Sequence, residues 1–195
     1  MSLPPKNITQ LPIKVGIAGA SETGHCGIDA LDQGKALGKI LASHSCIVTT
    51  DATTGFPLWA AMGAKANNGM VIGFSPAASE TEHVTTYKLP TDHLDMIVYT
   101  GFGYAGANLL LTRSSDAIIF GCGRSGTVHE FMIALEERKP IGILEGSWDT
   151  DELLKEILEK SNKPIDNIIT DTDPQRLVER LIKKAKEERL KYYHV

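Results

Sequence analysis

Residues 115–143, SDAIIFGCGRSGTVHEFMIALEERKPIGI, read without a break as a strand, a glycine loop, a helix and a second strand. Residues 116–120 form an apolar, partly β-branched run of the length a buried strand takes, and Gly121, Gly123 and Gly126 follow at once. Thr127 can cap or open the helix, Glu130 stands in its first turn, and Phe131, Ile133, Ala134 and Leu135 supply an apolar face. Lys139-Pro140 stops it and leads into the strand 141–144. A glycine turn that feeds a helix N-terminus presents backbone N–H groups and the positive end of the helix dipole, so the pattern predicts a phosphate site.

The chain on either side repeats the alternation. Strands are expected over 13–18, 46–50, 70–74, 95–99 and 167–170, and helices over 27–42, from Pro57 to 68, over 108–114, over 150–160 and from Pro174 to about residue 190. The polar connection 75–93 exceeds an ordinary loop and is expected to form a lid or a small hairpin. This order predicts an α/β fold, a Rossmann-like doubly wound parallel sheet with helices on both faces. One domain over 1–195 is expected, with an N-terminal extension over 1–12 and a C-terminal helix and tail over 173–195. Ligands of such sheets bind beyond the carboxyl ends of the strands, which here carry the loops 19–27, 51–57, 100–107 and 121–127, all rich in Gly, Ser and Thr.

Composition narrows the function. With 42% hydrophobic and 23% charged residues the 195-residue chain is ordinary for a globular protein, and its net charge of −4 argues against a nucleic-acid partner. No apolar run approaches the roughly 18 residues that span a bilayer, so no membrane partner is expected. Cys26, Cys46 and Cys122 lack CxxC spacing, and their odd number predicts reduced thiols and a cytoplasmic location. The sequon at Asn7-Ile8-Thr9 reads as chance, and the charges of the last helix as a solvated face. No metal site is expected, although His25, Cys26, Cys122 and His129 all fall near the ligand edge and a thiol or metal site is a lesser alternative. His83 and His93 read as surface residues; Trp59 reads as core or subunit contact, and Trp148 as a border of the ligand edge.

Both GFGYAG (101–106) and GCGRSG (121–126) fit the GxGxxG dinucleotide pattern. The second is better placed, with Glu145 where a ribose-binding acid belongs, and this keeps NAD(P) binding as an alternative. Four strands before it count against that reading, since the pattern normally marks the first βαβ unit.

GCGRSGTVHE more closely resembles the PGGxGTxxE motif of the LOG (Lonely Guy) family, often labelled "possible lysine decarboxylase", within a wider group of Rossmann-like nucleotide-binding proteins that includes DprA. LLLTRSSDAII (109–119) is similar to that family's MARxADAxI, with Arg113 on its arginine and Asp116 on its aspartate. Residues 51–76 resemble GGGxxGLMGAVAxGAxxxGGxVIGVxP, with Gly55, Gly63, Gly69 and Gly73 near matching places, and IKVGIAGAS (13–21) resembles the first strand and loop.

The resemblance implies a homodimer or higher homo-oligomer that cleaves nucleoside 5′-monophosphates at the N-glycosidic bond. It implies an AMP-like ligand, with phosphate contacts from Gly19, Ser21, Gly55, Gly121, Gly123, Ser125, Gly126 and Thr127. Glu130 would act at the ribose, as a carboxylate suits a developing oxocarbenium ion, with Arg113 on the family's arginine; Arg124, a further catalytic candidate, either replaces a lost cation near the phosphate or blocks the pocket. On spacing alone Glu130 is equally a first-turn acid favoured by the helix dipole. The chain departs from the motif at Cys122 and Arg124, and the family's catalytic arginine, in GMHxRK, falls on Ala107. A non-catalytic nucleotide or molybdenum-cofactor binder or carrier is therefore the rival to a phosphoribohydrolase with altered or lost activity. Lysine decarboxylation is not expected, because no lysine lies in a pyridoxal-phosphate context.

Overall fold

The computed structural model describes residues 11–191; the extension over 1–10, with its sequon, and the tail 192–195 lie outside the described residues. Strands β1 (Lys14–Ala18), β2 (Ile47–Asp51), β3 (Met70–Ser75), β4 (Met96–Tyr99), β5 (Ala117–Phe120), β6 (Ile141–Leu144) and β7 (Ile168–Asp171) alternate with helices. These are α1 (Ala30–Ser43), α2 (Phe56–Ala66), α3 (Glu80–Thr85), α4 (Gly103–Ser114), α5 (Ser125–Glu136), α6 (Thr150–Ser161) and α7 (Pro174–Lys191). Every pairing is parallel, in the order β4-β3-β2-β1-β5-β6-β7, as expected of a doubly wound Rossmann-like sheet. The order reverses between β1 and β5, so their carboxyl ends mark the switch point.

Both sheet faces are covered, which is why the central strands read as continuous apolar runs. On one face Val15, Ile17 and Val48 pack with Leu37 and Leu41 of α1, Phe56 and Ala60 of α2 and Leu177 and Leu181 of α7. On the other, Ile118 and Phe120 pack with Phe131 of α5 and Leu154 of α6, and the two phenylalanine rings meet edge to face at 5.3 Å. Asp116, just before β5, accepts from the Lys14 backbone at 2.8 Å, from Lys14 Nζ at 3.1 Å and from Arg189 Nη2 at 2.8 Å, tying β1, β5 and α7 together. Burial pushes against its ionisation, but these donors hold the carboxyl below its ordinary pKa.

Several expectations are corrected. The 75–93 connection contains α3 rather than a hairpin: Ser79 caps it by accepting from the Glu82 N–H at 3.2 Å, and the Glu82 carboxylate accepts from Ala78 N at 2.7 Å. His83 is fully buried, not at the surface; its Nε2–H donates to Pro90 O at 3.0 Å and its Nδ1 accepts from Ser75 Oγ at 2.8 Å. His93 is exposed, as expected. Helix α4 begins inside GFGYAG, at Gly103, and α5 opens at Ser125 rather than Thr127 because the extended Arg124 is its N-cap. Trp59 is half-buried against the core. Among the described residues no helix is long and apolar enough to cross a membrane.

Candidate functional site

The register that pairs Ala18 with Phe120 delivers the loops after β1 and β5 side by side. Ala20 N donates to Cys122 O at 2.8 Å, and Phe56 N donates to Ala20 O at 2.9 Å, so the loop after β2 is locked to the same frame. A cleft of about 230 Å³ opens above them. Gly19, Ala20, Ser21 and Glu22 line it from β1, Asp51 and Thr53 from β2, Tyr104 and Asn108 from α4, and residues 124–127 with Glu130 from α5. All four loops named from the sequence meet here.

Of the expected residues, Gly19, Ser21, Arg124, Ser125, Gly126, Thr127 and Glu130 border the cleft. Gly55, Gly121 and Gly123 do not border it, and packing explains their type. Gly55 has φ +71°, and a Cβ there would lie 2.2 Å from Ala20 O. A Cβ on Gly121 would lie 2.2 Å from the Phe56 ring. Gly123 has its backbone engaged by Thr150, whose hydroxyl accepts from Gly123 N at 2.8 Å and sits 2.9 Å from Gly123 O. Arg113 stands at the far end of α4, exposed and paired with Glu137 at 3.3 Å, away from the cleft. Glu145 pairs with Lys155 instead of bordering the cleft, which leaves GCGRSG without its ribose acid. Trp148 is buried, edge-on to Phe56 at 6.2 Å, and belongs to the core beneath the edge.

At the mouth, among the described residues, no side chain caps α5, so the N–H groups of Ser125, Gly126 and Thr127 have no intrahelical partner. These residues border the cleft beside the exposed Arg124, a grouping suited to an anion. Asn108 is 7% exposed, with its Nδ2 3.5 Å from Gly126 O, and links α4 to this helix start. Ala107, at the place of the family arginine, is 1% exposed inside α4.

At the floor two carboxyls meet. Glu130 is 1% exposed, and its Oε1 has no hydrogen-bond partner of ordinary type. Burial, then the charge of Asp51, then a hydrogen bond to that carboxyl, push its pKa well above the usual range. Burial also lifts Asp51 to about 7, with the bond from Glu130 opposing the rise. With both carboxyls pushed upward, the pair favours a proton shared between Glu130 and Asp51. Asp51 was missed as a site residue because it reads as the first residue of a turn; it ends β2, facing a helix nearly eighty residues away in sequence. Tyr104 and Thr53 were signalled only by their loops, and Asn108 only as the first residue of the helix expected over 108–114.

The cysteines also differ from expectation. Cys26 and Cys122 form a disulfide, Cα to Cα 5.8 Å, while Cys46 is free and buried. The loops after β1 and β5 lie side by side, so the bond closes a separation of 96 residues that spacing rules do not see. His25 sits against it: Nε2 is 3.5 Å from Cys122 Sγ and donates to Gly123 O at 3.1 Å, while Nδ1 accepts from Arg124 Nε at 3.0 Å. His129 is exposed on α5 and outside this group.

Solved structures share this architecture. A molybdenum cofactor binding protein from Rippkaea orientalis is 24% identical and aligns over 90% of this chain and 98% of its own, with a TM-score of 0.75. The molybdenum cofactor carrier protein of Chlamydomonas reinhardtii is 23% identical over 89% of this chain and 99% of its own, TM-score 0.69. DNA processing protein A from Helicobacter pylori, described with a single-stranded DNA binding mode, is 19% identical over 94% of this chain and 90% of its own, TM-score 0.63. At these identities the likeness is one of fold. An uncharacterized protein of Archaeoglobus fulgidus is 28% identical over 132 residues, 68% of this chain and 80% of that protein. The expected kinship with LOG-like Rossmann proteins is upheld at the level of the family, whose match runs over residues 12–178: the chain belongs to the SLOG cluster4 family.

Proposed function

We propose that this protein binds a phosphorylated heterocycle, a nucleotide or a pterin such as the molybdenum cofactor, without hydrolysing it. The observation that carries this reading is the burial of Glu130, 1% exposed at the floor of the cleft with Asp51 beside it, which favours its neutral form. Glycosidic cleavage needs negative charge beside a developing oxocarbenium ion, and a neutral carboxyl supplies little of it. The same carboxyl pair suits recognition, because it offers one O–H donor and several acceptors to the polar edge of a heterocycle. The buried Ala107 removes the catalytic cation, leaving Arg124 at the mouth as the guanidinium bordering the cleft. The lining would hold a molybdenum cofactor, its phosphate taken by Arg124 and the start of α5 at Ser125, Gly126 and Thr127 and its pterin by Asp51, Asn108 and Glu130. Two of the neighbours in fold are described as binding or carrying that cofactor, which favours the pterin.

The test is a thermal-shift panel of AMP, other nucleoside monophosphates, NAD, NADP, inorganic phosphate, molybdenum cofactor and a single-stranded oligonucleotide, since a ligand of the native state raises apparent stability. A shift with a phosphorylated heterocycle and no free base in the same samples is the expected result. Release of base would restore the hydrolase with Glu130 at the sugar, and a shift with NAD, NADP or the oligonucleotide but with neither a nucleoside monophosphate nor the molybdenum cofactor would sink the proposal. Arg124→Ala is expected to raise the Kd for the bound ligand about tenfold, the loss of one charge-assisted contact at about 1.4 kcal/mol. An unchanged Kd by calorimetry would remove Arg124 from the site.

A further inference from the structure

We infer that reduction of the Cys26–Cys122 disulfide opens a two-thiolate, one-imidazole site for a soft divalent cation of the zinc type, formed by Cys26, Cys122 and His25. The ligand atoms of these three residues already lie within 4.8 Å of one another. Their frame is rigid on both sides: Cys122 follows β5 and is fully buried, the next residue is clamped by Thr150, and Cys26 N donates to Thr23 O at 2.9 Å. Two sulfurs held at about 2.3 Å from a tetrahedral ion stand roughly 3.7 Å apart. The 5.8 Å between the Cα atoms permits that separation by χ1 rotation alone. Sulfur and imidazole together select zinc-like ions over magnesium or calcium, and three protein ligands leave the fourth position to water or a ligand atom.

The chemistry balances. A dithiol reductant gives two electrons and two protons to the disulfide, is itself oxidised to a cyclic disulfide, and leaves Cys26 and Cys122 as thiols. The cation then displaces both thiol protons and takes the Nε2 lone pair of His25, the nitrogen nearest Cys122 Sγ. A disulfide oxidant, itself reduced to two thiols, takes the two electrons back, re-forms the Cys26–Cys122 bond and expels the ion. Metallation at Nε2 ends its donation to Gly123 O at 3.1 Å and moves the ring proton to Nδ1, and a protonated Nδ1 cannot accept from Arg124, so the contact at 3.0 Å breaks as well. The guanidinium is then free to turn to the cleft, and the redox state of the bond sets the position of its cation.

Cobalt(II) is the probe. The full chain is reduced with dithiothreitol, desalted without oxygen and titrated with Co²⁺, then with Zn²⁺. One Co²⁺ per chain, with thiolate-to-cobalt charge-transfer absorption that Zn²⁺ removes, is expected from the reduced protein and not from the oxidised one. Cys26→Ser and Cys122→Ser should abolish the band, His25→Ala should weaken binding at least about tenfold, and Cys46→Ser should leave it intact. A reduced chain that takes up no Co²⁺, or a band that survives in the Cys26→Ser, Cys122→Ser double variant, overturns the proposal. Wild-type alkylation read by mass spectrometry gives the same answer without variants: Zn²⁺ should slow modification of Cys26 and Cys122 at least about tenfold, and equal rates refute the site. Because no cleft ligand is present, failure here is separate from failure of the proposed binding function.

Discussion

Gly38→Ala lowers the unfolding free energy by about 3 kcal/mol, which moves Tm down by roughly 6–12 °C in a chain of this size. Alanine is the better helix former by about 1 kcal/mol, so propensity alone predicts the opposite sign. Packing decides it. A Cβ on Gly38 would lie 1.8 Å from the carbonyl oxygen of Ala60, and one on Gly63 would lie 2.0 Å from that of Lys35. The two glycines thus let the backbones of α1 and α2 touch from both sides, and no flexible side chain is present to yield. Separating the helices would disturb Phe56, whose backbone anchors the loop after β1 and whose ring packs over Gly121, so the loss extends to the cleft. Gly24→Ala is the control, since nothing lies within 4 Å of a Cβ there. Thermal denaturation of the two variants beside wild type checks the difference, and a Gly38→Ala protein as stable as wild type would show that the helix seam relaxes.

The parts that were legible from sequence are those in which a local pattern and a tertiary environment agree. Strand β5, helix α5 and strand β6 were readable because a doubly covered parallel strand must be apolar throughout, and because Lys139-Pro140 stops the helix before the next strand. Helix α3 was not, although Ser79 and Glu82 stand at capping-box spacing, because its six residues carry no apolar stripe. His83 was misplaced for the same reason: its polar neighbours hide that Ser75 and Pro90 satisfy both ring nitrogens in the interior. Of the site, the start of α5 that borders the cleft was legible as a glycine loop before a helix. Its counterparts were not. Asp51 meets Glu130 and Cys26 meets Cys122 only through the pairing of β1 with β2 and β5, and no spacing rule reports contacts made across a switch point. Likewise Gly121 and Gly123 were assigned to phosphate, whereas close packing against Phe56 and Thr127 accounts for them.

Raising the pH from 5 to 8 should cost the folded chain about 3 kcal/mol through Asp51, with Glu130 adding to the loss, and Glu130→Gln should remove the share that belongs to Glu130. In the unfolded chain Asp51 titrates near 3.8 and Glu130 near 4.5; in the folded chain Asp51 rises to about 7 and Glu130 rises as well. Both pKa values are higher in the native state, so the native state binds more protons between them. The stabilisation from the pair is therefore full below about pH 4 and is lost as pH climbs through 7. Glutamine keeps the shape and still donates to Asp51 through its amide, so the burial-raised titration of Asp51 persists and only the proton of Glu130 is removed from the balance. The variant should match wild type at pH 5 and exceed it at pH 8 in urea denaturation. A wild-type stability that is flat over this range, or a variant that falls as steeply, would refute the shared proton. The same variant bears on function, because an ionised glutamate that stabilises an oxocarbenium ion cannot be replaced by an amide, whereas a neutral donor that recognises a heterocycle can. Ligand binding by Glu130→Gln within a few-fold of wild type at pH 6 would favour the binder, and its loss would favour a carboxylate that acts through its charge.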